Sequence, residues 1–221
     1  ATPGVYIEEK SAFPSSAVQV ATAVPAFVGY TEMAIRANKS LKNIPTRITS
    51  LSEFHQFFGG APKTTFAVSP DDSTQFKVDV DAASKYNLYR SMRMFFANGG
   101  SLCYVVSVGS YSDPVSGKDL NDPATESGIP TLLKYPEPTM LVIPDAVLLE
   151  EADCFSLQQA MLMHCGSDMK SRVAVLDIYN GDKPRTYDEG DIITRSREGV
   201  GNNFLQWGAS YYPFLNTTIV Q

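Results

Sequence analysis

The sequence has little cysteine and histidine, the residues that build most metal, disulfide and redox sites. Its 221 residues include three cysteines, Cys103, Cys154 and Cys165, and two histidines, His55 and His164. The odd cysteine count and the lack of any C-x-x-C spacing argue against a disulfide framework and a thiolate zinc site. We therefore expect reduced thiols, no metal and synthesis in the cytosol.

Phosphate-binding and hydrolase motifs are missing as well. The sequence has no G-x-x-x-x-G-K-[ST], no G-x-G-x-x-G and no G-x-S-x-G. His164 and Cys165 are adjacent, so on a helix their side chains point about 100° apart and do not pair as base and nucleophile. The net charge of −6 gives no electrostatic reason to hold nucleic acid by its phosphates. These absences predict no catalytic residue, no cofactor and no nucleic-acid partner.

Long apolar runs are also absent. Residues 11–31 carry no charge, but they include Pro14 and many Ser, Thr and Gln residues, whereas a membrane span needs about 20 mostly apolar residues. Glu8 and Glu9 precede this stretch, which is not the pattern of a secretory signal. Because 43% of the residues are hydrophobic and 19% charged, a packed core is feasible. We expect a soluble protein that makes no membrane contact.

What the sequence does contain is a series of short apolar runs. Runs rich in β-branched and aromatic residues predict buried strands at residues 26–30, 103–108, 140–143 and 173–178, and a further strand is predicted at residues 207–212. Their apolar character on both faces is typical of a sheet covered by helices on both sides.

Helical patterns lie between these strands. The capping box Ser50-x-x-Glu53 predicts a short helix that ends at Gly59, and three-to-four spacing predicts helices at 86–96 and 150–165, the latter ending at Gly166. Residues 109–136 are predicted as a loop, and residues 61–80 and 180–203 as polar connections. Alternating strands and helices predict an α/β fold with a mixed, largely parallel sheet flanked by helices.

Two carboxylates are the most enzyme-like feature. Asp145 and Asp177 stand at or just past the ends of predicted strands, at the edge where open α/β sheets bind ligands. A pair of carboxylates there can hold Mg²⁺. The other interpretation is that Asp145, which follows Pro144, caps a turn or a helix. Both interpretations stay open at this point.

A basic segment stands out in the acidic chain. Residues 36–47 carry Arg36, Lys39, Lys42 and Arg47 and no acidic residue. This loop is either a contact surface for an acidic neighbour or a ligand phosphate, or a solvated surface loop.

Several blocks of sequence, in order along the chain, carry a family resemblance. They are TPGVYIEE at 2–9, AVPAFVGYT at 23–31, SEF and FGG at 52–60, FFANGG and CYVVSVG at 95–109, EP and LVIPDA at 137–146, HC at 164–165, and GASYYP at 208–213. These blocks resemble the tail sheath proteins of contractile phage tails and of phage-tail-like contractile injection systems. Nothing after Tyr212-Pro213 resembles the C-terminal region through which that family contacts its inner tube, so no tube-binding residue is predicted.

The resemblance implies a structural subunit with no enzymatic activity. Such a subunit polymerises helically around an inner tube and shortens to drive the tube through a target envelope. The implied partners are neighbouring sheath subunits, the inner tube protein, and baseplate and cap proteins. The implied location is the bacterial cytoplasm, where the sheath becomes part of a virion tail or of a phage-tail-like particle that is released or membrane-anchored.

The resemblance also implies a division of the chain into an N-terminal linker arm at 1–25 and an α/β sheath body at 26–221. Within the arm, a short strand is predicted at Val5, Tyr6, Ile7, Glu8 and Glu9. A strand of about five residues on an extended tether has little stability alone. It gains hydrogen bonds by adding to the edge of a neighbouring subunit's sheet.

Two alternative functions remain open. One is a metal-dependent α/β enzyme that uses Asp145 and Asp177. The other is a sheath-like cap or terminator protein, which would form a single ring instead of a long tube.

Overall fold

The computed structural model describes residues 23–71, 73, 75–80 and 85–217. In this part of the chain the strands are β1 (Pro25–Thr31), β2 (Ile35–Arg36), β3 (Lys39–Ser40), β4 (Thr46–Ile48), β5 (Phe66–Asp71), β6 (Gln75–Val80), β7 (Cys103–Ser110), β8 (Asn121–Asp122), β9 (Ser127–Gly128), β10 (Met140–Val142), β11 (Val173–Asp177) and β12 (Gly208–Tyr211). The α-helices are α1 (Leu51–Phe58), α2 (Leu88–Ala97), α3 (Gly117–Leu120), α4 (Glu151–Met163) and α5 (Ile192–Val200). Short 3₁₀ helices cover Ile129–Lys134, Pro144–Leu148 and Leu205–Trp207.

Six strands form the central sheet, in the order β12-β11-β10-β1-β7-β4. All neighbours are parallel except β4, which pairs antiparallel with β7. The predicted α/β fold with a mixed, largely parallel sheet is therefore confirmed. Among the parallel strands, β1 lies between the second and the third in chain order. This is the 2-1-3-4-5 order of a doubly wound sheet, and its switch point lies between β1 and β10.

Both faces of the sheet are buried because successive side chains on a strand point to opposite sides. Along β1, Ala26, Val28 and Tyr30 pack with α3 and α4 on one side. Phe27 points to the other side and packs with α1 and α2. Burying an apolar side chain of this size contributes roughly 1.5–3 kcal/mol, so the two layers together hold the sheet in place.

The helix boundaries follow the predicted signals in two places. Ser50 caps α1 by accepting the Glu53 N–H at 3.2 Å, and Gly59 ends the helix with a φ of +83°. The Glu53 carboxylate accepts from the Thr49 N–H and hydroxyl instead of the Ser50 N–H. Helix α2 ends before the predicted Asn98-Gly99-Gly100 stop.

The end predicted for α4 at Gly166 is wrong. The helix continues through a π-helical turn at His164–Met169 and ends at Lys170, which has a left-handed φ of +52°. Gly166 serves packing instead, because a Cβ there would lie 2.6 Å from Trp207 Cδ1 and 2.7 Å from Phe204 Cδ1. A glycine that makes room for an aromatic neighbour cannot be distinguished by sequence from a glycine that ends a helix.

The predicted loop and both polar connections contain regular structure. Residues 61–80 hold the β5–β6 hairpin, and residues 180–203 hold α5. Residues 109–136 hold α3, β8, β9 and a 3₁₀ helix, and bury Leu120, Ile129 and Leu132 in the core. The elements within residues 109–136 and 180–203 are short or polar, so their apolar residues are too few for a periodic signal.

Candidate functional site

The switch point of the sheet is occupied by a buried carboxylate. Asp145 is fully buried and lies just past the carboxyl end of β10. Its Oδ2 accepts the Tyr30 N–H at 3.1 Å, and its Oδ1 accepts the Asn87 N–H at 2.6 Å. The Leu88 N–H is a further donor to the same carboxylate. Asp145 thus joins the ends of β1 and β10 to the beginning of α2.

The environment of Asp145 acts on its charge in two directions. Burial raises the pKa of Asp145 to about 6, while the backbone N–H donors of Asn87, Tyr30 and Leu88 oppose that rise. At neutral pH the carboxylate is therefore ionised, and it lies at the positive end of the α2 dipole. Gly29 is required for this approach, because a Cβ there would lie 2.5 Å from Asp145 Oδ2.

The position of Asp145 bears on ligand binding at the sheet edge. In doubly wound folds a phosphate commonly binds at a helix N-terminus beside the switch point, held by exposed backbone N–H groups. Here the N–H groups of Asn87 and Leu88 bind a side chain of the same protein. The cap interpretation of Asp145 is consistent with this geometry.

Asp177 lies on the same edge as Asp145. It is the last residue of β11, the neighbour of β10, and it is half-buried, which raises the pKa of its carboxyl. Its backbone carbonyl accepts Nε2 of Gln158 at 2.7 Å. Both oxygens of Asp145 face backbone donors and not Asp177. Within residues 23–71 and 85–217, no group of three or more His, Cys, Asp or Glu residues is arranged to hold a metal ion.

A buried arginine that the sequence did not indicate lies behind α4. Arg172 is 1% exposed, and its Nη1 donates to Nε2 of His164 at 3.1 Å and to the Leu132 carbonyl at 3.4 Å. Burial, with a smaller effect of Arg172, lowers the pKa of His164 to about 4. His164 is therefore neutral at pH 7, with Nε2 accepting and the proton on Nδ1. Burial raises the pKa of the adjacent Cys165 to about 12, so it stays a thiol.

The basic segment was predicted as a loop, but it contains regular structure. Arg36 and Lys39 form a cross-strand pair on the β2–β3 hairpin, and Arg47 lies on the edge strand β4. All four cations, Lys42 included, are exposed. Arg47 pairs with Glu137 at 3.8 Å, and the Arg36 guanidinium lies 5.0 Å from the centre of the Phe57 ring.

Exposed apolar side chains accompany these cations. Met33, Ile35 and Ile44 are 38%, 48% and 45% exposed. We call Arg36, Lys39, Lys42 and these three residues the basic surface. It combines positive charge with apolar area in one stretch of chain.

The β5–β6 hairpin presents a second exposed surface. Its register pairs Val68 with Val78 and Phe66 with Val80, so Phe66, Val68, Phe76 and Val78 lie on one face of the ribbon. These four are 60–64% exposed, and we call them the apolar ribbon face. The opposite face is polar and includes the Lys77–Asp79 ion pair at 2.9 Å. The alternation in FAVSP and QFKVDV around an Asp-Asp-Ser turn was the sequence signal for this hairpin.

The predicted intersubunit strand, Val5, Tyr6, Ile7, Glu8 and Glu9, lies outside the described residues. Near the start of the described residues, Val24 is 1% exposed and donates its N–H to Thr139 Oγ1 at 2.9 Å. The two edge strands of the sheet are β12 and β4, each paired on one side within the described chain. Each of these edges has the unpaired backbone groups that an added strand requires.

No family model and no curated protein matches this sequence. Among the described helices, none is long and apolar enough to cross a membrane.

Proposed function

We propose that this chain is a structural subunit of a contractile sheath, in a phage tail or a phage-tail-like injection system. The observation that carries the proposal is Asp145, which closes the switch point of the sheet with backbone hydrogen bonds. The residue belongs to the LVIPDA block of the resemblance. In this doubly wound fold a carboxylate of the chain itself occupies the sheet edge where ligands commonly bind. Such a fold is suited to a structural role.

The exposed surfaces support assembly. The apolar ribbon face and the basic surface both expose large apolar side chains to solvent in the single chain. Exposed apolar clusters of this kind typically mark interaction sites.

In this proposal the arm at 1–25 links copies together. Residues 5–9 add as a strand to a neighbouring copy, and the linkage repeated by a heterologous contact builds an open helix around an inner tube protein. Baseplate and cap proteins bind its two ends. The body moves as a unit while the linkers keep neighbours joined.

Contraction in this proposal needs no nucleotide. The extended sheath is metastable, and the free energy of shortening comes from contacts between copies that form only in the contracted state. The conformation that is favoured is the one with more contact area between subunits. The buried sheet edge of each body is not required to change.

Negative-stain electron microscopy of the full-length protein tests this function. Hollow tubes of uniform diameter are the expected result, because a heterologous contact that does not close yields a helix. Single rings would instead support a cap or terminator protein. A protein that stays monomeric at all concentrations, with or without an inner tube, would contradict both.

The metal-dependent enzyme is tested on the same preparation. If the Asp177 carboxylate is a Mg²⁺ ligand, titration of Mg²⁺ would give a binding heat with the wild-type chain that is lost with Asp177→Asn. We expect no heat in either titration, because Asp145 is engaged by backbone donors.

A further inference from the structure

A cavity of about 450 Å³ opens at the β12 end of the sheet, two strands beyond β10 and the switch point. Ile178, Ser210 and Tyr212 line it from the sheet. Ser210 pairs in register with Leu176, which packs on the α4 side, so Ser210 lies on that side as well. Gln158 of α4 and one face of α5 complete the walls. Cavities of roughly 300–1,000 Å³ typically hold small molecules.

The face that α5 turns to the cavity is partly apolar and partly polar. Four of its residues line the cavity: Ile193, Ser196, Arg197 and Val200. Their spacing of i, i+3, i+4 and i+7 places these side chains on one side of the helix. Ile193 and Val200 provide aliphatic surface, and Ser196 and Arg197 provide hydrogen-bond donors between them.

The hydroxyl of Ser196 is buried on this face without a partner. Ser196 is 4% exposed, and its Oγ makes no hydrogen bond within the described chain. A serine in a helix can instead donate to the carbonyl four residues earlier, as Ser156 of α4 does to Ala152 at 2.8 Å. A buried hydroxyl that stays unpaired lowers the stability of the fold. A ligand in the cavity can supply the partner that the chain does not.

Arg197 gives the cavity a positive charge. Among the described residues that line the cavity, none is acidic, and Arg197 alone has a charged side chain. Within the described chain Arg197 forms no salt bridge, whereas Arg195, two positions earlier, pairs with Glu151. The dipole at this end of α5 amounts to about half a negative charge, less than the full positive charge of Arg197. The cavity therefore favours an anion over a cation.

The remaining walls and the volume define the rest of the ligand. Ile178, Ile193, Val200 and Leu205 give the cavity an aliphatic lining. At roughly 30 Å³ per heavy atom, the share of one water molecule in the liquid, 450 Å³ holds about fifteen heavy atoms. One guanidinium and one hydroxyl suit a singly charged carboxylate. The lining thus fits an apolar chain or ring that ends in a carboxylate.

We propose that this cavity binds a small organic monocarboxylate whose apolar body lies between the end of β11 and α5. The Ser196 hydroxyl and the Arg197 guanidinium donate hydrogen bonds to the carboxylate, and Ile178, Ile193 and Val200 contact the apolar body. The site is separate from Asp145 and lies within one chain. It is therefore independent of the proposed assembly, and either proposal can fail without the other.

Isothermal titration of the full chain with decanoate tests the ligand class. We expect decanoate to bind with a dissociation constant below about 1 mM. The shorter homologue hexanoate should bind at least about tenfold more weakly, because it buries fewer methylenes. Decyltrimethylammonium carries the same apolar chain with a positive charge, and Arg197 should prevent its binding over the same concentration range. Absence of decanoate binding, or equal binding of the two decyl compounds, would overturn the proposal.

Ser196→Ala separates ligand binding from folding. The substitution removes a hydroxyl that has no partner in the folded chain, so the urea midpoint should stay unchanged or rise. Decanoate binding should nevertheless weaken by about threefold or more, because the carboxylate loses a donor. A lower urea midpoint would show that the hydroxyl is paired within the fold and is not reserved for a ligand.

Substitution of Arg197 locates the charge that decanoate contacts. Arg197→Gln should weaken decanoate binding by about tenfold or more, and Arg197→Lys should retain most of the affinity because it keeps the charge. Arg195→Gln is the matched control, since it removes a cation of the same helix that does not line the cavity, and it should bind as the wild type does. Wild-type affinity in Ser196→Ala or in Arg197→Gln would place decanoate elsewhere on the chain and overturn the proposal.

Discussion

At the scale of single residues, Asp145 shows how a buried charge can organise a sheet edge. Its carboxylate ties Tyr30 and Asn87, which are 115 and 58 positions away in the chain, to the end of β10. A hydrogen bond to a charged group contributes more than a neutral one, about 1.5–3 kcal/mol. The site therefore fixes the relative positions of β1, β10 and α2.

Asp145→Asn should destabilise the protein although it removes a buried charge. The amide would bring N–H donors against the N–H groups of Tyr30 and Asn87, leaving buried donors unpaired. We expect a loss of about 1–3 kcal/mol in the free energy of unfolding at pH 7, measured by urea denaturation. Asp177→Asn is the control, since that carboxyl is only half-buried, and we expect no loss from it. Equal effects of the two substitutions would contradict the role given to Asp145.

His164 and Asp145 should oppose each other in acid. The pKa of His164 is about 4 in the folded protein, below its ordinary 6.5, so the unfolded chain binds the proton first and stability falls as pH drops from 6.5 to 4. The pKa of Asp145 is about 6, above its ordinary 3.8, so the folded protein binds that proton first and stability rises as pH drops from 6 to 3.8. Each contribution is on the order of 3 kcal/mol, so they nearly cancel.

His164→Gln should expose the hidden contribution of Asp145. The Gln Oε1 can still accept from Arg172, but it does not titrate. As the pH is lowered from 7 to 4, the free energy of unfolding, measured by urea denaturation, should therefore increase more in the variant than in the wild type. The difference between the two increases should reach about 2–3 kcal/mol near pH 4. Parallel pH profiles for the two proteins would show that His164 is not buried in its neutral form.

Residue roles were predictable where they depended on local sequence. Asp145 follows Pro144 at the end of an apolar run, and that pattern indicates a cap as well as a metal ligand. Arg172 was not predictable, because an arginine next to a strand usually lies on the surface. Its burial depends on His164, eight residues earlier, and on the Leu132 carbonyl, 40 residues earlier.

At the scale of elements, local chemistry decided what the sequence could predict. The strands β1, β7, β10 and β11 each have a continuous apolar run, and these four and the edge strand β12 were predicted close to their observed bounds. Helix α5 was missed because it has few apolar residues, although its N-cap Asp191 is a local signal. Asp191 accepts the N–H groups of Ile193 and Thr194, and hydrogen bonding to Arg185 lowers the pKa of its carboxyl.

The cap of α1 gives a test at this scale. Ser50→Ala removes the acceptor for the Glu53 N–H, and we expect a loss of about 1 kcal/mol in the free energy of unfolding. Ser52→Ala is a matched control on the exposed side of the first turn, where alanine is at least as favourable. Urea denaturation of the two variants measures the difference. A loss no larger for Ser50→Ala than for the control would show that the cap contributes nothing.

At the scale of the whole molecule, the strand order follows from contacts that no local pattern contains. The choice of β10 and not β11 as the neighbour of β1 depends on pairs such as Pro25 with Met140, far apart in the chain. The sequence could predict a parallel sheet, but the position of the switch point could be located only once the pairing of β1 with β10 was known. The same holds for the ribbon and the basic surface, because whether an exposed hairpin is covered depends on the complete fold or on other copies.

The arm provides the test that separates folding from assembly. Deleting residues 1–9 should leave the body intact, because the described residues from Val24 onward already form two buried apolar clusters, one on each face of the sheet. We expect the free energy of unfolding to change by less than about 0.5 kcal/mol, while the tubes disappear because no strand is left to add to a neighbour.

Tyr6→Pro should have the same effect by removing one ladder N–H, whereas Tyr6→Phe and Ser15→Pro should assemble normally. Electron microscopy and sedimentation measure assembly, and urea denaturation measures folding. Tubes of normal length from the deletion or from Tyr6→Pro would rule out strand exchange by this arm, since the linkage depends on backbone hydrogen bonds that neither variant can form in full.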